Sequence, residues 1–119
     1  MNLIADRVTV ANKLPSNAHE VNYNGIIGWS YSINCELGNR YTFFAYNDGS
    51  LYQVLVLFPA VAGQYDIHKA HLFSDGRICF GQTLGLPTLE QAYAKSVLWA
   101  TGFSTMLRTG TFQLSKNNF

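Results

Sequence analysis

The run Trp29, Ser30, Tyr31, Ser32, Ile33, Asn34, Cys35 puts its large apolar side chains on odd positions and its small polar ones on even positions. A period of two is the signature of a β-strand with one buried face. Outward from this run the chain turns at Gly38-Asn39, passes through the aromatic, β-prone segment Arg40 to Tyr46, turns again at Asn47-Asp48-Gly49 and continues through Leu51 to Phe58. Glycine accepts positive φ and Asn or Asp bonds back to nearby backbone, so both turns have a chemical cause. The spacing predicts an antiparallel meander of these segments. In the last of them Val54, Val56 and Phe58 point one way and Leu55 and Leu57 the other, which predicts cover on both faces toward its end. Cys35 falls on the apolar face of the first segment and reads as a packed thiol.

Something must pack on that sheet, and the segment after Pro87 is the candidate. Thr88 followed by Gln91 fits a capping box, and Leu89, Tyr93, Val97, Ala100, Phe103 and Leu107 recur at helical spacing. Arg108 and Gly110 supply a stop. Leu98, Trp99 and Met106 lie off that stripe, so the second half of the helix is apolar nearly all round, as for a helix buried on two sides or one kept for a partner. At the other end, Leu3 to Val10 reads as a strand and Ala11 to Gly28 as loop and turn, with no helix expected. Residues 113–119 read as a polar tail. The expected architecture is α+β: one domain over residues 1–119, an antiparallel β-meander packed against a C-terminal helix, with residues 1–28 a reduced or atypical lead. No repeat or linker divides it.

Composition narrows the function classes. With 48% hydrophobic and only 13% charged residues, the 119-residue chain has the makeup of a folded domain rather than a disordered one. A formal net charge of +1 without any run of Lys or Arg argues against nucleic-acid binding. Asp6 and Arg7 interrupt what a signal peptide would need as an apolar core, and the apolar run Val54 to Ala62 is short and broken by Pro59. A cytoplasmic location with no membrane partner is expected, and the two cysteines are expected as thiols rather than a bridge.

Chemistry concentrates between His71 and Gly81. The turn signal Asp75-Gly76 throws Arg77, Ile78 and Cys79 into an extended piece, placing Arg77 and Cys79 on one face and Ile78 on the other. Cys79 with His68 and His71 is the cluster of reactive types in the chain. Metal binding falls short, because these residues offer three ligands where structural zinc takes four, so no metal is expected. A Cys-His hydrolase with Asp66 or Asp75 as orienting group stays open, although Cys79 is not at a helix amino terminus. So does acyl carriage, in which the thiol accepts an acyl group by thioester exchange beside a polar neighbour that steadies the oxyanion. The plain alternative is a buried cysteine acting as a small hydrophobe among satisfied loop histidines.

Asp75-Gly76-Arg77-Ile78-Cys79-Phe80 resembles the active-site signature of ubiquitin-conjugating enzymes, in which Gly-x-Ile-Cys-Leu follows a His-Pro-Asn tripeptide. The tripeptide position here reads Lys69-Ala70-His71. Upstream, Gly49 to Pro59, ending Phe58-Pro59, looks like that family's third strand and Phe-Pro signature. Downstream, Trp99, Phe103 and Thr109-Gly110-Thr111-Phe112 resemble the Trp-rich helix and Thr-Gly-aromatic ending of bacterial relatives. The likeness spans residues 40–112. It implies a ubiquitin-conjugating-like enzyme with Cys79 as the thioester-forming cysteine and His71 at the Asn position, where the family's residue steadies the loop or the oxyanion. His68, Lys69 and Asp75 would be supporting residues. It further implies a ubiquitin-like protein, an activating enzyme and a protein target as partners, no cofactor, and a bacterial conjugation pathway with a defence role. In the family an amino-terminal helix contributes to activating-enzyme and ligase contacts, and none is expected here. The alternative is a non-catalytic module of the same fold that binds a ubiquitin-like protein or the activating enzyme.

Overall fold

Asn24 and Gly25 both take positive φ, 53° and 87°, and close a two-residue hairpin. That turn joins a first strand, β1 (His19–Tyr23), to β2 (Ile26–Asn34), with Tyr23 opposite Ile26. The computed structural model describes residues 3–81 and 83–112. β2 pairs antiparallel with β3 (Arg40–Asn47), and β3 with β4 (Tyr52–Phe58), giving one sheet of order β1-β2-β3-β4. The meander expected from Trp29 onward is present, with one more strand and an earlier start than expected. Residues 11–28 are therefore not simply loop. Four of the five residues of β1 are exposed, so an edge strand of this kind carries no apolar alternation to read.

The amino-terminal expectation is also corrected. Leu3–Lys13 is an α-helix, α1, not a strand. Val8, Thr9 and Val10 are β-branched and favour strands in isolation. The buried residue of α1 is Asp6, whose two carboxylate oxygens each accept from the Tyr52 hydroxyl at 2.8 Å. Its apolar inner side is thin, Val10 packing partly on the core while Ile4 is 75% and Val8 56% exposed, so little of a stripe shows in the sequence. Exposed ion pairs Arg7–Glu20 and Lys13–Glu90 add little.

The long carboxyl-terminal helix, α3 (Leu89–Thr109), packs against the inner face of β3 and β4. Its start is capped as expected, Thr88 Oγ1 accepting from the Gln91 N–H at 3.2 Å, and Gly110 ends it in the left-handed region. Its buried face differs from expectation. Leu89, Ala92, Ser96, Trp99, Ala100, Phe103 and Met106 face the core, while Leu107 and Leu98 are exposed. Trp99 and Met106 are thus core residues and not an overhang. The true stripe passes through small residues that a count of large apolar positions overlooks. Two of them reach the sheet: Ser96 meets the Tyr31 hydroxyl and Ser104 the Tyr41 hydroxyl, each at 2.6 Å. Buried hydroxyls that find each other in this way fix the helix against the strands.

Val54 and Val56 are buried under α3, whereas Leu55 and Leu57 are only partly covered and Phe58 is 54% exposed. The cover expected on both faces of this strand is only partial on its outer side, which forms an open groove. The outer edge of β4 is occupied instead. Val56 N–H donates to the Gly76 carbonyl (3.0 Å), Ile78 N–H to the Val54 carbonyl (2.9 Å), and Tyr52 exchanges two backbone bonds with Leu86. Residues 76–78 and 86 therefore form an interrupted lane beside β4. Among the described residues no helix is long and apolar enough to cross a membrane.

Candidate functional site

A single helical turn, α2 (Ile67–Ala70), leads into the site. Asp66 caps it, its carboxylate accepting from the His68 N–H at 2.9 Å and the Lys69 N–H at 3.0 Å. Those two backbone donors, Lys69 foremost, hold the Asp66 carboxyl below the usual carboxylate range. His71 ends the turn with φ 53° and ψ 48°, its N–H bonded to the Ile67 carbonyl. A non-glycine residue in that region redirects the chain sharply. The preceding residue, Ala70, is fully buried, and its carbonyl accepts from the Trp99 indole N–H at 2.9 Å.

From His71 the chain doubles back through a tight turn. Leu72 and Ile78 face each other across it and are 4% and 0% exposed. Gly76, at φ 92°, donates to the Phe73 carbonyl, and Phe73 to the Arg77 carbonyl. Asp75 accepts from the Arg77 backbone N–H (3.1 Å) and its guanidinium Nε (2.8 Å). Burial pushes this carboxyl up, but the backbone and side-chain contacts of Arg77 outweigh it and the net shift is downward. The guanidinium also lies 4.7 Å over the Phe73 ring.

At the mouth of this turn the Cys79 N–H donates to the His71 carbonyl at 2.8 Å. Ile78 is the last residue bonded to β4 before the chain leaves the sheet edge, and Cys79 is the first beyond it. Ile78 and Phe80 are buried on either side of Cys79, which is itself partly exposed, as alternation along an extended segment requires. Cys35 contrasts with it, buried with its Sγ 3.2 Å from Ser104 Oγ. Both thiols are free. The His71 ring packs on Phe112, centroids 4.3 Å apart and planes at 37°. Phe112 fits there because position 102 of α3 is glycine, where a Cβ would stand 2.3 Å from the Phe112 ring.

Of the residues singled out from sequence, Cys79 and His71 are brought side by side through their backbones. His68 and Lys69 are exposed on α2, Asp66 caps that helix, and Asp75 is engaged with Arg77 at the far end of the turn. Among the described residues no group of three or more His, Cys, Asp and Glu is placed to hold a metal ion. Sequence reasoning missed Trp99 and Phe112 as supports of the site. A tryptophan in an apolar helix is a hint, since its indole N–H needs a partner when buried. On the outer sheet face, Tyr23, Ile26, Phe44, Tyr46 and Leu55 line a groove of about 280 Å³ with Asp75 and Arg77 among its walls.

Fold and site together define an α+β meander domain with a partly exposed cysteine beside a histidine at a sheet edge. Comparison with protein-family models, with curated proteins and with solved structures finds no match to the chain.

Proposed function

We propose that the protein carries a ubiquitin-like protein as a thioester on Cys79 and transfers it to a target nucleophile, an amine, in a cytoplasmic bacterial conjugation pathway. The observation that carries this reading is the bond between the Cys79 N–H and the His71 carbonyl at the point where the chain leaves β4. It joins the backbones of a partly exposed cysteine and a histidine at one turn, which supports reading the two as partners. In the loading step the Cys79 thiolate attacks the thioester carbonyl presented by an activating enzyme. A new C–S bond forms, the old one breaks, and the activating enzyme's cysteine departs as a thiolate. In the transfer step the amine attacks the Cys79 thioester, a C–N bond forms, the C–S bond breaks, and Cys79 leaves as a thiolate that takes up the proton the amine nitrogen gives up. His71 donates a hydrogen bond to the oxyanion between these events. The helix α1 ahead of the sheet adds support, since the resemblance implies a helix there.

The test is incubation with the matched activating enzyme, ATP and the ubiquitin-like protein. A reductant-sensitive adduct is expected, lost in Cys79→Ala and kept in Cys35→Ala. An adduct that survives Cys79→Ala overturns the assignment. His71→Ala is expected to slow transfer by about ten- to a thousandfold while leaving loading largely intact. A second reading, a non-catalytic binding module, is favoured by the apolar groove on the outer sheet face. Binding of the ubiquitin-like protein without any thioester would select it.

A further inference from the structure

The carboxyl-terminal end of α3 turns back on itself. Gly110, at φ 84°, donates to the Met106 carbonyl, and the Thr109 hydroxyl accepts from the Thr111 N–H, so Phe112 is returned against the helix it follows. Its ring enters the notch left by Gly102, and Phe112 is only 9% exposed. The Phe112 ring also meets the ring of His71, with centroids 4.3 Å apart. Imidazole held against an aromatic face loses rotational freedom about its side-chain bonds, and an oxyanion donor acts only if it is already aimed.

We infer that Phe112 is a positioning residue: seated in the notch at Gly102, its ring holds the His71 imidazole in the orientation that serves the Cys79 thioester. The inference rests on the acyl-transfer reading above, in that His71 is taken to act on an acyl group carried by Cys79. Gly102 and the Gly110 turn act through Phe112. None of the three touches the reacting atoms.

Two readouts on the intact chain test it. The first is the chemical shift of the His71 ring protons, which the Phe112 ring displaces while the two rings are in contact. Phe112→Leu and Gly102→Ala are expected to remove that displacement, and Phe112→Tyr to keep it. The second uses Cys79 charged with a glycylglycine acyl group, by exchange with its mercaptoethanesulfonate thioester, and followed during attack by glycine ethyl ester. Phe112→Leu is expected to slow this aminolysis on the order of tenfold, as a misplaced donor does. Phe112→Tyr is expected to restore the rate, and Phe112→Leu to add nothing in a His71→Ala background. Unchanged His71 shifts in Phe112→Leu overturn the proposal, as does an equal slowing with and without His71. Should His71→Ala alone leave aminolysis untouched, it is the transfer role of His71 that fails, and the ring-proton shifts still decide on the ring contact. The remaining amide resonances report whether each variant is folded, and Phe112→Leu, which needs no new space, serves if Gly102→Ala is not.

Discussion

Trp99, near the middle of α3, donates its indole N–H to the carbonyl of Ala70 at 2.9 Å, one residue before His71. The core helix and the loop that carries the site are thereby joined by a buried bond. Trp99→Phe removes the donor and strands a carbonyl, at a cost of about 1–3 kcal/mol in urea unfolding. Amide hydrogen exchange in residues 70–72 should quicken beyond what the global loss explains. Uniform quickening across the sheet would show that Trp99 contributes packing alone.

The two thiols should separate cleanly. Cys79 is partly exposed and Cys35 is buried, so iodoacetamide under native conditions should modify Cys79 first and Cys35 only on unfolding. Mass spectrometry of peptides after timed quenching reads this directly. Equal rates would contradict the placement of Cys79 outside the core.

The Tyr41–Ser104 contact, 2.6 Å and buried, predicts non-additive stability. Ser104→Ala leaves the Tyr41 hydroxyl without that partner and should cost about 1–3 kcal/mol. Adding Tyr41→Phe removes the stranded group, so the double variant should be more stable than the summed single effects by about 1 kcal/mol. Additive losses would mean that the hydroxyls do not interact.

Alkaline pH should weaken the fold. Burial, with Asp6 beside it, raises Tyr52 from 10.0 to about 12, and burial also raises Tyr31 and Tyr41. The folded state keeps these protons after the unfolded chain has lost its own, so the stabilisation is complete below pH 10 and falls as pH rises toward 12. The depressed Asp48, Asp66 and Asp75 carboxyls act at the other limb, losing their contribution as pH falls below 3.8 and through their lower folded values. Urea midpoints across both ranges check the signs. A Tyr52→Phe variant should show a shallower alkaline decline.

What was legible from sequence was what hydrophobic periodicity and turn chemistry encode. Trp29 to Phe58 alternates strongly and is bounded by Gly and Asn, and the structure keeps those strands and turns. Thr88, Gln91 and Gly110 located the ends of α3 because capping is a local matter. The face of α3 was misread because its contact surface includes Ala92, Ser96 and Ser104, whose contribution depends on tyrosines far away in the chain. The lead was missed for a related reason: α1 is tied by Asp6 to Tyr52, and β1 is an exposed edge. One signal there was readable, since Asn24-Gly25 is a hairpin dipeptide. At the site, the turn at Asp75-Gly76 and the outward direction of Cys79 were legible from alternation. The contacts of Trp99 with Ala70 and of Phe112 with His71 were not, since they join residues 29 and 41 positions apart.

The lane laid along β4 by residues 76–78 and Leu86 has a consequence for assembly. A sheet open on two sides can recruit copies of itself without end, each newcomer offering a fresh border. Among the described residues one border is lined by the chain's own returning segment, which leaves β1 as the open border for strand-to-strand recruitment. Two molecules meeting there through β1 would use up each other's open border and close as a pair.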